Sequence, residues 1–145
     1  MSREGADIAL DGSVLIALAI GEDKARAVKE KILSDEVRAV SHELAVTETM
    51  YILCRSLGWE VAVTKIDYLT ESGFIAIDRT AELVKDAAKI KCERALVLPD
   101  CFTLATAKRH NCKAVFVSME DELRKEISRK TLGVEISFLS DFAHR

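Results

Sequence analysis

Four carboxylate-bearing segments are where residue type and position in this chain could do chemistry: Asp11, Glu48, Asp100 and the run Glu120-Asp121-Glu122. Asp11 closes the apolar run Ile8-Ala9-Leu10 and is followed by Gly12, Ser13 and a second apolar run, which reads as strand, acidic turn and helix. A charge placed where a buried strand surfaces costs desolvation unless a hydrogen-bond donor or a cation compensates it. If the four segments meet at one crevice, their like charges repel strongly, and divalent cations among them offset that repulsion. Oxygen ligands with no His or Cys nearby suit Mg²⁺ or Mn²⁺ rather than zinc. Ions of this kind acidify a water and neutralise charge on a phosphodiester during hydrolysis.

Each acid also has an ordinary structural explanation. Asp11 beside Gly12 suits a helix cap or a turn. Glu48 falls within the apolar stripe of its helix, where an ion pair with a Lys or Arg would account for it. Asp100 in a first helical turn is favoured by the helix dipole whatever the function. Ser118-Met119-Glu120-Asp121 fits the capping-box pattern, which welcomes acids in the same place. What separates the functional reading from these is the convergence of all four. No Ser-His-Asp or Cys-His pairing, Walker loop or Gly-x-Gly spacing offers a different chemistry.

The elements that must position these acids alternate between strand and helix. Residues 6–10 read as a strand and 13–20 as a short buried helix closed by Gly21. An amphipathic helix over 23–33 follows, then a strand over 37–40, with Ser41 as the cap of a helix over 42–57 that buries Leu44, Ala45, Tyr51 and Ile52. Gly58 breaks that helix before a second one over 59–70. Residues 74–77 read as a third strand, after which Thr80 caps a helix burying Leu83, Val84, Ala87, Ala88 and Ile90. Pro99, the only proline, suits the first turn of a helix running to about His110. A strand over 114–117, a charged helix over 118–128 and an alternating strand over 134–138, one face wet, complete the chain.

Strands separated throughout by helices imply a parallel sheet covered on both faces. Such sheets bind ligands beyond the carboxyl ends of the strands, where strand order reverses. With strands two and three on one side of strand one and strands four and five on the other, that crevice lies between Leu10-Asp11 and Val117-Ser118.

The chain has 145 residues, 49% of them hydrophobic, enough for one core and one domain spanning 1–145. No apolar stretch is long enough to cross a bilayer and no signal sequence opens the chain, so a soluble cytoplasmic protein is expected. Cys54, Cys92, Cys101 and Cys112 lack Cys-x-x-Cys spacing and read as reduced, mostly buried thiols. The net charge of −3 argues against holding nucleic acid by bulk electrostatics while allowing it as a transient substrate. The basic runs at 108–110 and 124–130 read as solvated helix faces.

These residues resemble a PIN domain, the nuclease fold of the VapC-type toxins of toxin-antitoxin pairs. The resemblance rests on Leu10-Asp11-Gly12-Ser13-Val14-Leu15, on Glu48 within Thr47-Glu48-Thr49-Met50-Tyr51, and on Leu98-Pro99-Asp100-Cys101-Phe102-Thr103-Leu104-Ala105. It implies a three-layer α/β/α sandwich whose five-stranded parallel sheet has the order 3-2-1-4-5. It implies that Asp11, Glu48 and Asp100 ligate the metal directly or through water, with Ser13 orienting the first carboxylate. The implied activity is Mg²⁺- or Mn²⁺-dependent endoribonuclease cleavage of structured RNA such as tRNA, checked by a cognate antitoxin, and the implied assembly is a homodimer. At the fourth acid the family shows Thr-x-Asp, whereas this chain has Ser118-Met119-Glu120, so Glu120 or Asp121 completes the set there.

Three other readings compete. One is a non-toxin RNA-processing or DNA-directed nuclease of the same fold, and another a catalytically silent copy that only binds its partner. The third is a phosphoacceptor receiver domain, for which Asp78 follows strand three. Asp11 is followed by Gly12-Ser13 rather than a second acid, and no lysine follows the last strand, so Asp78 reads better as a turn residue.

Overall fold

The computed structural model describes residues 5–129 and 133–142. Five parallel strands, β1 (Ile8–Leu10), β2 (Ala39–His42), β3 (Ile75–Asp78), β4 (Lys113–Phe116) and β5 (Ile136–Phe138), form one sheet in the order β3-β2-β1-β4-β5. The helices are α1 (Gly12–Ile20), α2 (Arg26–Leu33), α3 (Glu43–Leu57), α4 (Trp59–Thr70), α5 (Thr80–Glu93), α6 (Leu98–His110) and α7 (Asp121–Arg129). Residues 1–4, 130–132 and 143–145 lie outside the described residues, and with them His144.

Because successive side chains of a strand point to opposite faces, β1 feeds two cores. Ile8 and Leu10 join Val14, Leu15, Val28, Ile32 and Leu69 on the face covered by α1, α2 and α4. Ala9 joins Leu83, Ala87, Leu104, Ala105 and Leu123 on the face covered by α5, α6 and α7. α6 is buried all round from Cys101 through Ala107, and it crosses the sheet against β1, β2 and β4. Pro99 stands in its first turn, and Asn111 closes it in the left-handed conformation.

Several local expectations are corrected. Ser41 does not cap α3, because β2 continues to His42 and the Ser41 hydroxyl donates to Leu10 O at 2.7 Å. The cap is His42, whose ring accepts from Ala45 N. The stripe of α3 is Ala45, Thr49 and Leu53, with Tyr51 exposed. Thr80 begins α5 rather than capping it, since Glu43 Oε1 accepts from Thr80 N at 2.7 Å from another element. Val84 and Ala88 are exposed, because α5 buries Leu83 and Ala87 on its inner side, where Ile90 also packs partly buried against the same core. α7 starts at Asp121, after Ser118, so the capping box is not formed there.

Other corrections concern burial and pairing. β5 has no wet face: Ser137 is buried on one side, while Ile136 and Phe138 pack against the core on the other. Of the four free cysteines only Cys101 is buried. Asp78 is the last residue of β3, and its carboxylate takes His110 Nε2 at 2.8 Å and Arg109 Nε at 3.5 Å. Among the described residues no helix is long and apolar enough to cross a membrane.

Candidate active site

The carboxyl ends of β1 and β4 open into a cleft of about 240 Å³ lined by Asp11, Ser13, Asp100, Phe116, Ser118 and Glu120, with Glu22 and Lys24 at its side. This is the crevice expected where strand order reverses, since β1 has β2 on one side and β4 on the other. Asp11 N donates to Val115 O at 3.0 Å, which carries the β1–β4 pairing one residue past the strand.

Asp11 is both cap and candidate acid. It is the N-cap of α1, its Oδ2 accepting from Ser13 N at 3.2 Å and from Ser13 Oγ at 2.6 Å. Its other oxygen, Oδ1, faces Thr103 Oγ1 at 3.1 Å. The expected role of Ser13 in orienting this carboxylate thus has a geometric basis.

Glu48 reaches the same turn from α3. Gly12 is buried against that helix, and a Cβ built there would stand 3.2 Å from Glu48 Oε1 and 3.6 Å from Ala45 Cα. The missing side chain is what lets the carboxylate approach. Partial burial pushes the Glu48 carboxyl above the usual range, and the charge of Asp11 adds to it. Among the described residues no Lys, Arg or His pairs with Glu48, so the ion pair that would have explained it structurally is not there.

Asp100 occupies the first turn of α6. Burial pushes its carboxyl up to about 7, helped by the charges of Asp11, Glu120, Glu48 and Glu122 in that order. Every segment singled out in the sequence therefore contributes an acid to one electrostatic neighbourhood. Glu120 and Ser118 line the cleft from the segment before α7, both exposed to solvent. Asp121 is not brought in: its side chain points to solvent with Arg124 Nη1 at 3.5 Å. Among the described residues no three His, Cys, Asp or Glu side chains converge tightly enough to hold a metal ion as they stand. Asp11, Asp100 and Glu120 line the cleft, while Glu48 lies outside its lining, against Gly12. The donor set is oxygen throughout, which fits a hard divalent cation.

Two further groups escaped the sequence reading. Thr103 and His42 are both buried behind Asp11, with Thr103 Oγ1 3.0 Å from His42 Nε2. The spacing of Thr103 from Asp100 was a usable signal, because residues three apart share a helix face. Nothing in the sequence pairs His42 with it.

The family model described as PIN domain matches residues 8–125. Among solved structures, the chain is similar to Mycobacterium tuberculosis VapC20, a Sarcin-Ricin loop cleaving toxin, at 18% identity, covering 82% of this chain and 94% of that one with a TM-score of 0.62. It is similar to a chain of a toxin-antitoxin complex from Klebsiella pneumoniae at 16% identity, covering 92% and 98% with a TM-score of 0.64. A chain of VapBC2 from Rickettsia felis, bound to a DNA fragment from their promoter, matches at 12% identity, covering 90% and 97% with a TM-score of 0.67. At these identities the likeness is one of fold. No curated protein matches the sequence.

Proposed function

Because the chain belongs to the PIN domain family, we propose that it is a Mg²⁺- or Mn²⁺-dependent endoribonuclease, the toxin of a type II toxin-antitoxin pair, working as one domain over 1–145. The observation that carries this reading is the crowding of Asp100 at the mouth of the β1–β4 cleft, where burial and, after it, four other carboxylates from three parts of the chain raise its proton affinity. Asp11, Glu48, Asp100 and Glu120 would hold the ion, with Ser13 and Ser118 in support and Asp121 engaged by Arg124 instead. When bound, the ion supplies Lewis acidity and an acidified water for attack on phosphorus.

The chain's own residues do the rest. The Ser13 amide and hydroxyl fix one oxygen of Asp11, so the carboxylate enters the reaction already oriented. Asp100, held protonated by burial and by the neighbouring carboxylates, would give up its proton when a cation binds. Among the described residues lining the cleft, Lys24 alone is cationic; it sits 2.9 Å from Glu22 Oε2 and is placed to meet a substrate phosphate. A cognate antitoxin is the protein partner in this reading, supported by likeness to the toxin-antitoxin complexes of the same fold, and a second copy of the chain is the assembly that the family resemblance implies.

Incubating the purified chain with tRNA, ribosomal RNA or single-stranded DNA, in Mg²⁺, Mn²⁺ or excess chelator, tests the reading. RNA cut only when the ion is present, and left intact by Asp11→Asn, is the expected result. Cleavage of DNA alone reassigns the substrate, and no metal-dependent cleavage of any of the three overturns the proposal.

A further inference from the structure

Behind the cleft, a buried histidine and a buried threonine form a hydrogen-bond chain that ends on Asp11. The direction of each bond is fixed by its donors. Ala45 N lies 3.1 Å from His42 Nδ1, and a backbone N–H can only donate, so Nδ1 is the unprotonated ring nitrogen. Burial holds the His42 imidazole down to about 4, so the ring is neutral at ordinary pH and its one proton is on Nε2. Nε2–H then donates to Thr103 Oγ1 at 3.0 Å.

The threonine hydroxyl has one hydrogen of its own, and two acceptors stand in reach: Asp11 Oδ1 at 3.1 Å and Pro99 O at 3.2 Å. Pro99 O lies four residues back on α6, where it also meets the helical amide of Thr103. The carboxylate is the stronger acceptor, because charge-assisted bonds are about twice as strong as neutral ones. Since the imidazole already donates to Thr103, the hydroxyl cannot turn its hydrogen back towards His42. Asp11 thus has both oxygens held, Oδ2 by Ser13 and Oδ1 by Thr103.

We propose that His42 and Thr103 are positioning residues: the imidazole, seated by the start of α3, orients the Thr103 hydroxyl, which in turn sets the rotation of the Asp11 carboxylate towards the ion. The inference rests on the metal-dependent reading of the cleft. Groups that orient ligands in this way change metal affinity or activity by 10- to 100-fold when removed, an order-of-magnitude range.

The test uses the full chain, with Mn²⁺ alone as probe by calorimetry and RNA cleavage as a second readout. Thr103→Val keeps the branched shape and loses the hydroxyl, and is expected to weaken Mn²⁺ binding by roughly 10- to 100-fold; the buried His42 Nε2–H also loses its acceptor, so the metal-free melting temperature should fall, and binding is measured well below it. Thr103→Ser is expected to restore most of the loss. His42→Asn retains an oxygen to cap α3 but is too short to reach Thr103, and is expected to weaken binding less than Thr103→Val does. The double variant should be no worse than Thr103→Val, because His42 acts only through the hydroxyl. Wild-type Mn²⁺ affinity in Thr103→Val, or losses that add in the double variant, would overturn the proposal.

If the wild type binds no Mn²⁺ and cuts no RNA, the functional reading fails by itself. The positioning then stands or falls on two measurements without metal. ¹⁵N NMR should find His42 protonated on Nε2, and a crystal structure of Thr103→Val should show the Asp11 carboxylate rotated; an Nδ1-protonated ring or an unmoved carboxylate refutes it.

Discussion

Glu48 Oε1 stands 3.2 Å from the place where Gly12, 36 residues earlier in the chain, would carry a Cβ. That distance is tighter than an ordinary van der Waals contact, and the group that must give way is the end of a flexible side chain. Gly12→Ala should therefore fold well, since Gly12 is not held at positive φ and only the far end of Glu48 has to move. Glu48 should shift instead, and RNA cleavage should fall by about tenfold or more. Melting temperature and cleavage rate, measured on one preparation, should separate in this way.

Asp11→Asn isolates the charge. Asn caps helices about as well as Asp, so α1 should keep its first turn and the protein its melting temperature to within a few degrees. Cleavage should fall by at least roughly a hundredfold, on the scale of losing a charged group aimed at the reacting centre. Asp11→Ala should lose the activity and about 1 kcal/mol of stability as well.

The acidity of Asp100 sets a pH dependence whose sign follows from the direction of its shift. The folded carboxyl holds its proton up to about 7, well above the value of 3.8 it has without these surroundings. Between those values the folded state binds more protons than the unfolded one, so the stability of the metal-free protein falls as pH rises through the window. Thermal melting without divalent ions should be higher at pH 5 than at pH 8, and Asp100→Asn should flatten the difference. Mn²⁺ must displace the same proton, so below pH 7 its dissociation constant should rise about tenfold for each unit of acidification.

Arg94 and Glu126 form a buried pair between the end of α5 and α7, their side chains each 7% exposed, with Arg94 Nη1 also donating to Glu126 O at 3.1 Å. Glu126→Ala takes away the carboxylate while the Glu126 carbonyl still accepts from Arg94, and should cost about 1–2 kcal/mol in denaturant unfolding. Because α7 follows Glu120 directly and packs Leu123 into the core beside the cleft, cleavage should drop as well.

The strand-helix alternation and the cleft between β1 and β4 were legible because apolar runs of period two and stripes of period 3.6 are local properties. Pro99 and Gly21 marked helix ends for reasons of backbone geometry alone. What failed was the assignment of caps and faces, which depends on partners distant in sequence. Ser41 has the chemistry of a cap, but its hydroxyl is occupied by Leu10 O, and the amide of Thr80 is taken by Glu43 from another element. Tyr51 fits the period of α3, yet the helix turns Ala45, Thr49 and Leu53 inward because small residues allow α1 and α3 to pack closely. The acids were legible one at a time; their effect on Asp100 needed the fold. His42 was invisible because it looks ordinary where it stands, and Thr103 was marked only by its spacing of three from Asp100 on one helix face.

Seven successive residues of α6, Cys101 to Ala107, have no face towards water. A segment of this kind offers evolution no silent positions, since a larger side chain must push against the sheet on one side or α5 on the other. Asp100 and Thr103 ride on it, so drift within the segment would be registered at the acids before it was registered as unfolding. In a saturation screen scored separately for abundance and for RNA cutting, this stretch should be where the two scores part company first.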